Sequence, residues 1–366
     1  MHISYRTFGL KQLDVYIIKK FLGTYFFSIV LILSIGIVFD LTEKLDNFYE
    51  HNAPLSAIIF DYYMNFIPYY MNVFSALFTF LAVIYFTSKM AGNSEIIAIL
   101  AGGVSFHRFM LPYFISAFVI FSISFGLGGY VIPKSTKKML EFENTYIKSF
   151  KKENARNVQM EVEEGIILYV DRYEMRSNKG YRFSLEKFDG KHLVSRLTAE
   201  TISWDSEYNW KINNYLKRDF DGMYEHITHG ESMDTVIMVQ PDEFFITAQE
   251  APQMTNPELK TYLEKQSKRG VGNIQVFEDE YYRRFASPIA AFIMALMGVS
   301  LSSRKIRGGM GLNLGIGIAL SALYILFSTM STSFSVNGAM SAAMAVWLPN
   351  MVFLVVGIFL YVKAPK

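Results

Sequence analysis

Five stretches of the chain carry no charged side chain, and their lengths decide most of its architecture. They cover residues 21–39, 62–88, 109–133, 285–303 and 308–362. A bilayer core takes about 20 apolar residues per helix, and a backbone inside it must satisfy its own hydrogen bonds, which favours helices. The first four runs each predict one transmembrane helix. The last is long enough for two, around the polar turn "STSFSVNG". Six spans follow, in keeping with a chain that is 51% hydrophobic and only 19% charged, where soluble domains carry about a quarter of charged residues. The first run is too long for a cleavable signal peptide. No small-residue cleavage site precedes the acidic "DLTEKLDNFYE", so it is expected to remain as helix 1.

Lysine and arginine set the orientation. With the N-terminus in the cytoplasm, six spans return the C-terminus there. The cytoplasmic segments then hold Arg6, Lys11, Lys19, Lys20, Lys89, Arg108, Arg304, Lys305, Arg307, Lys363 and Lys366, against two acids, Asp14 and Glu95. The short outer segments hold Lys44, Arg283 and Arg284 against Asp40, Glu43, Asp46, Glu50 and Asp61. Residues 1–133 and 283–366 therefore form two membrane halves. Residues 134–282 form an insert on the outer side, with 21 bases and 26 acids. The chain has no cysteine, so this insert has no disulfides, and at about 150 residues it is large enough to fold without them.

The insert reads mostly as β. "GIILYVDRYE", "YRFSLEKFD", "HLVSRLTAETISWD", "YNWKINNYLKRDF" and "DTVIMV" are rich in β-branched and aromatic residues and separated by turn residues. With no helical pattern between them, an antiparallel sandwich or open barrel is expected rather than βαβ units. A helix over about 257–270 leads back to the membrane, with Asn256 as its cap, Pro257 in the first turn and Gly270 at its end. The fold class is thus an α+β membrane protein, three spans, a β domain, three spans.

Between helices 2 and 3 lies "AGNSEIIAILAGGVS", residues 91–105, with one acid and no base. Asn93 or Ser94 can cap a short helix over about 93–103. Glu95 complements its dipole, Ile96, Ile97 and Leu100 stripe one side, and Gly102 and Gly103 end it. So short a helix is marginal in water and must dock, either on its own bundle or on a cytoplasmic partner carrying a base for Glu95.

At this point the chain resembles the LptF/LptG permease family. The likeness runs through "LDVYIIKKFLGTYFFSIVLI", "NSEIIAILAGGVS", "YVIPKS", "MTNPELKTYLEKQSKRG" and "YYRRFASPIAAFIMALMGVSLSSR", in order across both membrane halves. The "LD-x-YI" opening leans toward the LptG side. The resemblance implies a permease of the bacterial inner membrane that pairs with a second LptF/LptG-type permease on a dimer of an LptB-like ATPase. The pair would move lipopolysaccharide through periplasmic β-jellyroll domains, with LptC- and LptA-like proteins. By that likeness the loop helix is the coupling helix, and Ser94, Glu95, Ala101 and Gly102 carry over onto its motif. LptG relatives place lysines at the outer end of helix 1. Here "FDLTEKLDNF" offers only Lys44 among acids, so the anion contacts must differ or be bridged by divalent cations.

Arg283 and Arg284, at the outer mouth of helix 4, either pair with Glu278, Asp279 and Glu280 or clamp a phosphate or sugar acid, for which guanidinium is suited. With Lys44 they are the candidate glycolipid phosphate contacts. Phe27, Phe39, Tyr324 and Phe327 are candidates for an acyl-chain cavity, since helices 1 and 5 line the dimer interface in the family. Gly311, Gly315 and Gly317 permit close contact at the start of helix 5. His226 and His229 would face opposite sides of a strand, so no metal is expected. The chain contains no G-x-x-x-x-G-K-[ST], so no cofactor is expected on it; ATP and magnesium belong to the partner ATPase. Nothing interleaves bases and aromatics as nucleic-acid binding requires. The expectation is a transport subunit rather than an enzyme. The alternatives are a lipoprotein-releasing type of ABC permease, which the 3 + 3 layout disfavours, and a membrane receptor or scaffold with a ligand-binding outer domain.

Overall fold

A computed structural model describes residues 11–147, 154–245, 248–268, 274–304 and 309–364. The expected helix stop at Gly270 and the bases Arg6, Lys305, Arg307 and Lys366 lie outside the described residues. The helices are α1 (Gln12–Glu50), α2 (Leu55–Ala57), α3 (Met64–Val73), α4 (Ser75–Gly92), α5 (Glu95–Ala101), α6 (Phe106–Gly126), α7 (Ile132–Tyr146), α8 (Asn256–Lys268), α9 (Gln275–Ser302), α10 (Gly309–Val336) and α11 (Ala342–Val362). The strands are β1 (Asn154–Glu163), β2 (Ile166–Glu174), β3 (Lys179–Asp189), β4 (His192–Ser206), β5 (Asn209–Asp221) and β6 (Tyr224–Val236). Contacts divide the chain into two units, residues 1–142 with 278–366, and residues 143–277.

Among the described residues, six helices are apolar and long enough to cross a bilayer: α1, α4, the continuous run Phe106–Tyr146, α9, α10 and α11. Two of them depart from the charge-free runs. The second run is not one helix. A π-helical turn at Ile58–Tyr63 leads into α3, which carries Pro68, and α3 breaks from α4 at Phe74, where φ is −90° and ψ 1°. Proline removes a backbone donor and disturbs the turn before it. The freed polarity around the break is met by side chains: Ser124 donates to Asn72 Oδ1 at 2.5 Å, and Tyr25 and Ser75 hydroxyls meet at 2.8 Å. The third run continues past Pro133 through a π-helical turn at Leu127–Val131 into α7. The insert consequently begins near residue 143 and ends near 277, inside the expected bounds of 134 and 282.

Helix α4 is the spine of this unit, packed by α1, α9 and α10. Its apolar core joins Ile17, Phe21 and Tyr25 of α1 to Val83 and Phe86 of α4 and Tyr113 of α6. Two glycines allow its neighbours to come close. A Cβ on Gly298 of α9 would lie 2.7 Å from Val83, and one on Gly317 of α10 would lie 2.5 Å from Ile84. Among the three glycines expected to serve this purpose in helix 5, only Gly317 does. Gly311 and Gly315 face open space. Inside the bundle, Asn313 donates to Ser88 at 2.9 Å and Asn350 donates to the Ala286 carbonyl at 2.8 Å, so both buried amide nitrogens find acceptors within the bundle, while the Asn313 Oδ1 is buried without a partner among the described residues.

The second unit is a six-stranded antiparallel sheet in the order β1-β2-β3-β4-β5-β6. It is a meander rather than the Greek-key exchange of a strict jelly roll. Strand β1 and the first ten residues of β6, which are polar, add to the expected strands. One row crosses the whole sheet at Asn157, Asp171, Arg182, Glu200, Asn214 and Glu231, each skipped in the pairing with its neighbours. Asn157, Arg182 and Asn214 on alternate strands have φ of 51°, 53° and 49°. These left-handed residues shift the alternation of faces, so Val170 and Tyr173, Gly180 and Phe183, and Ala199 and Ile202 are all buried at odd spacing. The core behind them centres on Tyr173, Phe183, Trp210 and Phe244. Helix α8 starts one residue earlier than expected. Thr255 stands at its N-cap position, and the Thr255 N–H and hydroxyl both donate to Glu258 Oε2 at 2.8 Å, so the glutamate of a Thr-x-x-Glu pattern reaches back to the cap residue.

The glycine contact predicts a contrast. Gly317→Leu overpacks the α4–α10 seam and should cost about 1–3 kcal/mol, read as a lower melting temperature of the detergent-solubilised chain. Gly315→Leu, facing open space, should leave it unchanged.

Candidate functional site

The loop between α4 and α6 forms a single seven-residue helix, α5, held from beneath and open above. Ile96 is fully buried in the bundle core, with Ile99 and Leu100 packed partly against it. Ser94, Ala98, Ala101 and Gly102 are exposed, Glu95 is half-buried, and Ile97 projects with 58% of its surface accessible. Ile97 thus lies opposite the apolar stripe it was expected to join. At a helical 100° per residue, Ile96, Ile99 and Leu100 share one face, and Ile97 and Ala101 share another.

The C-terminal end of α5 is at Gly102 and Gly103 as expected, whereas its N-terminal cap is made differently. Ser94 occupies the N-cap position with φ of 61° and makes no side-chain cap bond. Asn93 Nδ2 instead donates to Glu95 Oε1 at 3.0 Å, which holds the carboxylate beside the exposed face. At the other end, Gly103 has φ of +86°. Its N–H reaches the Leu100 carbonyl at 3.0 Å, and Val104 N–H reaches Ile99 at 3.4 Å, the paired bonds of a Schellman ending that needs glycine.

Directly after α5, Ser105 caps α6 through the Arg108 N–H. The Arg108 side chain then makes a two-pronged pair with Asp14 of α1, at 2.7 and 2.6 Å. Asp14 is 1% exposed and also accepts from the Lys11 N–H at 2.8 Å. A fork-to-carboxylate pair of this geometry is among the stronger polar contacts a protein makes. It ties the first turn of α6, hence α5, to the first turn of α1. In the sequence Asp14 stood out only as one of two acids among many bases.

The other candidates separate. Phe27 and Phe39 sit on the exposed face of α1, at 68% and 73%. Tyr324 and Phe327 do not join them. They turn into the cluster with Phe353 of α11, and the Tyr324 hydroxyl donates to Asn350 Oδ1 at 2.9 Å. The exposed face of α10 carries Leu323, Leu326 and Met330 instead. Among the bases, Lys44 is paired with Asp40 at 2.9 Å and lies against Tyr62. Arg284 is buried at 6% exposure and donates through Nε to Glu280 Oε1 at 2.9 Å. Arg283 also pairs with Glu280, with half of its side chain accessible. Both arginines pair with Glu280 as the shared acid, and Arg283 also keeps an accessible surface.

The structure also holds a cavity of about 710 Å³ between α1, α4 and α10 that includes Phe27, and a cleft of about 420 Å³ on the sheet past Arg182, Phe183, Glu200, Asn214 and Leu216.

No curated protein matches the chain in sequence. The family described as "Lipopolysaccharide export system permease LptF/LptG" matches residues 15–363, which takes in both membrane halves, α5 and the whole sheet. The chain is therefore a multi-pass membrane protein of the LptF/LptG family of lipopolysaccharide export permeases.

Proposed function

We propose that this chain is the permease half of an ATP-driven exporter, with α5 as the helix on which a cytoplasmic ATPase seats. The observation that carries this reading is the division of α5 into two faces. Ile96 anchors it to the bundle, while Ile97, Ala98, Ala101 and Gly102 present a small apolar surface. Glu95 stands beside that surface, so a partner with an apolar pocket and a neighbouring base would complement it. Nothing within the chain supplies a phosphate-binding loop, so the energy has to enter through such a contact.

The rest of the mechanism follows from what α5 is attached to. A push on α5 reaches α6 through Gly103–Ser105 and reaches α1 through Arg108 and Asp14. Helix α1 bears Phe27 and Phe39 on its open face, where a second LptF/LptG-type permease would enclose a cavity for acyl chains. Movement of α1 would narrow that cavity and drive the lipopolysaccharide toward the β domain, and then to LptC- and LptA-like partners. Arg283 is the remaining candidate for the glycolipid's phosphates. The base-rich ends of the spans support a topology with both termini and α5 in the cytoplasm and the sheet in the periplasm.

Two tests bear on this. The chain has no cysteine, so single cysteines report topology without background. Met223→Cys, at a fully exposed position between β5 and β6, should react with a membrane-impermeant maleimide in spheroplasts with an intact inner membrane. Ile97→Cys should react only after the membrane is opened, and the reverse pattern would invert the assignment. For coupling, Glu95→Lys should reduce the ATPase copurifying with the tagged chain at least about tenfold, by turning attraction into like-charge contact. Recovery unchanged by Glu95→Lys and by Ile97→Asp would favour a receptor or scaffold without an ATPase.

A further inference from the structure

We infer that Tyr361, near the end of α11, is a positioning residue through which α5 acts on the second half of the bundle. A single contact with the ATPase then moves both α1 and α10, the two helices that present wide open apolar faces. The inference rests on the role proposed for α5 and adds a second branch to it. The first branch runs through Arg108 to Asp14 of α1. The second begins at the two residues just before Arg108.

Phe106 opens α6 and is 5% exposed, and only residues 102–105 separate it from α5. Its ring stacks on Tyr361, with centroids 5.9 Å apart and planes at 30°. His107 crosses the same ring at 5.6 Å and 74°, and its Nδ1 shares a hydrogen bond with the Tyr361 hydroxyl. Ala364, just past the end of α11, is buried in the core cluster that also holds Ile96, the anchor of α5. Three consecutive residues of α6 thus grip two helices from opposite halves of the chain. Phe106 and His107 take α11, and Arg108 takes α1. Aromatic pairs of this geometry contribute beyond the area they bury.

What α11 holds decides where a push through Tyr361 would go. Helix α11 packs along α10 and is fastened to it at three levels. Ser331 of α10 donates to the Ala345 carbonyl at 2.6 Å, Tyr324 donates to Asn350 Oδ1 at 2.9 Å, and the Tyr324 ring meets Phe353 at 5.2 Å. Close-packed elements fastened in this way transmit displacement instead of absorbing it, so α10 moves with α11. Arg304, just beyond α9, donates to the Lys363 carbonyl and brings the end of α9 to the same point. Helix α10 carries Leu323, Leu326 and Met330 on its open face, as α1 carries Phe27 and Phe39. Both open faces are therefore linked to the start of α6, one through a salt bridge and the other through an aromatic stack.

The chain has no cysteine, so a single cysteine on each exposed face can carry an environment-sensitive dye, with Val38→Cys on α1 and Met330→Cys on α10. Each labelled chain is purified from its native membrane with its partners, and complexes of the cysteine-free chain supply the background. Fluorescence is followed on trapping with ATP and vanadate, beside ATP hydrolysis and release of lipopolysaccharide from liposomes. Both positions should respond when the chain is otherwise wild type. Tyr361→Leu should leave the ATPase bound and hydrolysing, keep the response at position 38 and abolish the one at position 330, with release per ATP falling about fivefold. Phe106→Leu removes the same stack from the α6 side and should act alike. Tyr361→Phe keeps the ring and should retain the response at position 330.

A response at position 330 that survives both Tyr361→Leu and Phe106→Leu would overturn the inference. So would loss of both responses together, since Tyr361 would then only hold the bundle in shape. A response at position 38 alone, before either change, would remove this second branch and leave the role of α5 standing. No response at either position would remove both.

Discussion

The contact between Arg108 and Asp14 is the interaction on which the account turns. A carboxylate that is 1% exposed at the end of a membrane helix is costly without a partner. Arg108 meets both of its oxygens while the Lys11 N–H supplies a third bond. Since a third of the Arg108 side chain still meets solvent, breaking the pair should cost toward the low end for such contacts, about 2 kcal/mol. Its importance is mechanical as well as energetic. The beginnings of α1 and α6 are joined at one point, and the end of α5 leads into that beginning of α6 through residues 102–105.

From that point the rest of the membrane unit follows as a problem of close packing without water. Helix α4 is approached on two sides through Gly298 and Gly317, and buried amides and hydroxyls pair across helices. Helices α1 and α10 are left with wide apolar faces, acceptable in lipid or against a second permease but not in water. The outer surface of α5 is likewise exposed in the single chain, with Ile97 58% accessible.

Much of this was legible in the residues. The charge-free runs located all six spans because charge is costly in hydrocarbon whatever the local fold, and the turn-punctuated β-rich segments located the sheet. What stayed hidden depended on direction rather than composition. The placement of Ile97, Tyr324 and Phe327 is a question of which side of a helix meets its neighbour, and a uniformly apolar span such as α10 gives little angular signal. The break at Phe74 is accommodated by two side-chain pairs, Asn72 with Ser124 and Ser75 with Tyr25, each between residues far apart in sequence. The left-handed row across the sheet shifted the two-residue alternation on every strand, so β1 and the polar beginning of β6 did not read as strands. Thr255 as the cap of α8 was available in "TNPE", where a Thr-x-x-Glu pattern competes with an adjacent asparagine.

The central claim is that motion of α5 reaches the cavity-lining helix through Arg108 and Asp14. Its most direct test is a double-mutant cycle in reconstituted, ATP-driven release of lipopolysaccharide, using Asp14→Arg, Arg108→Asp and the exchanged pair, with ATP hydrolysis measured alongside. The account predicts that each single variant keeps hydrolysis but loses most of its coupling to release, and that the exchange restores a substantial part of it. Single variants that transport normally, or an exchange no better than either single change, would contradict it.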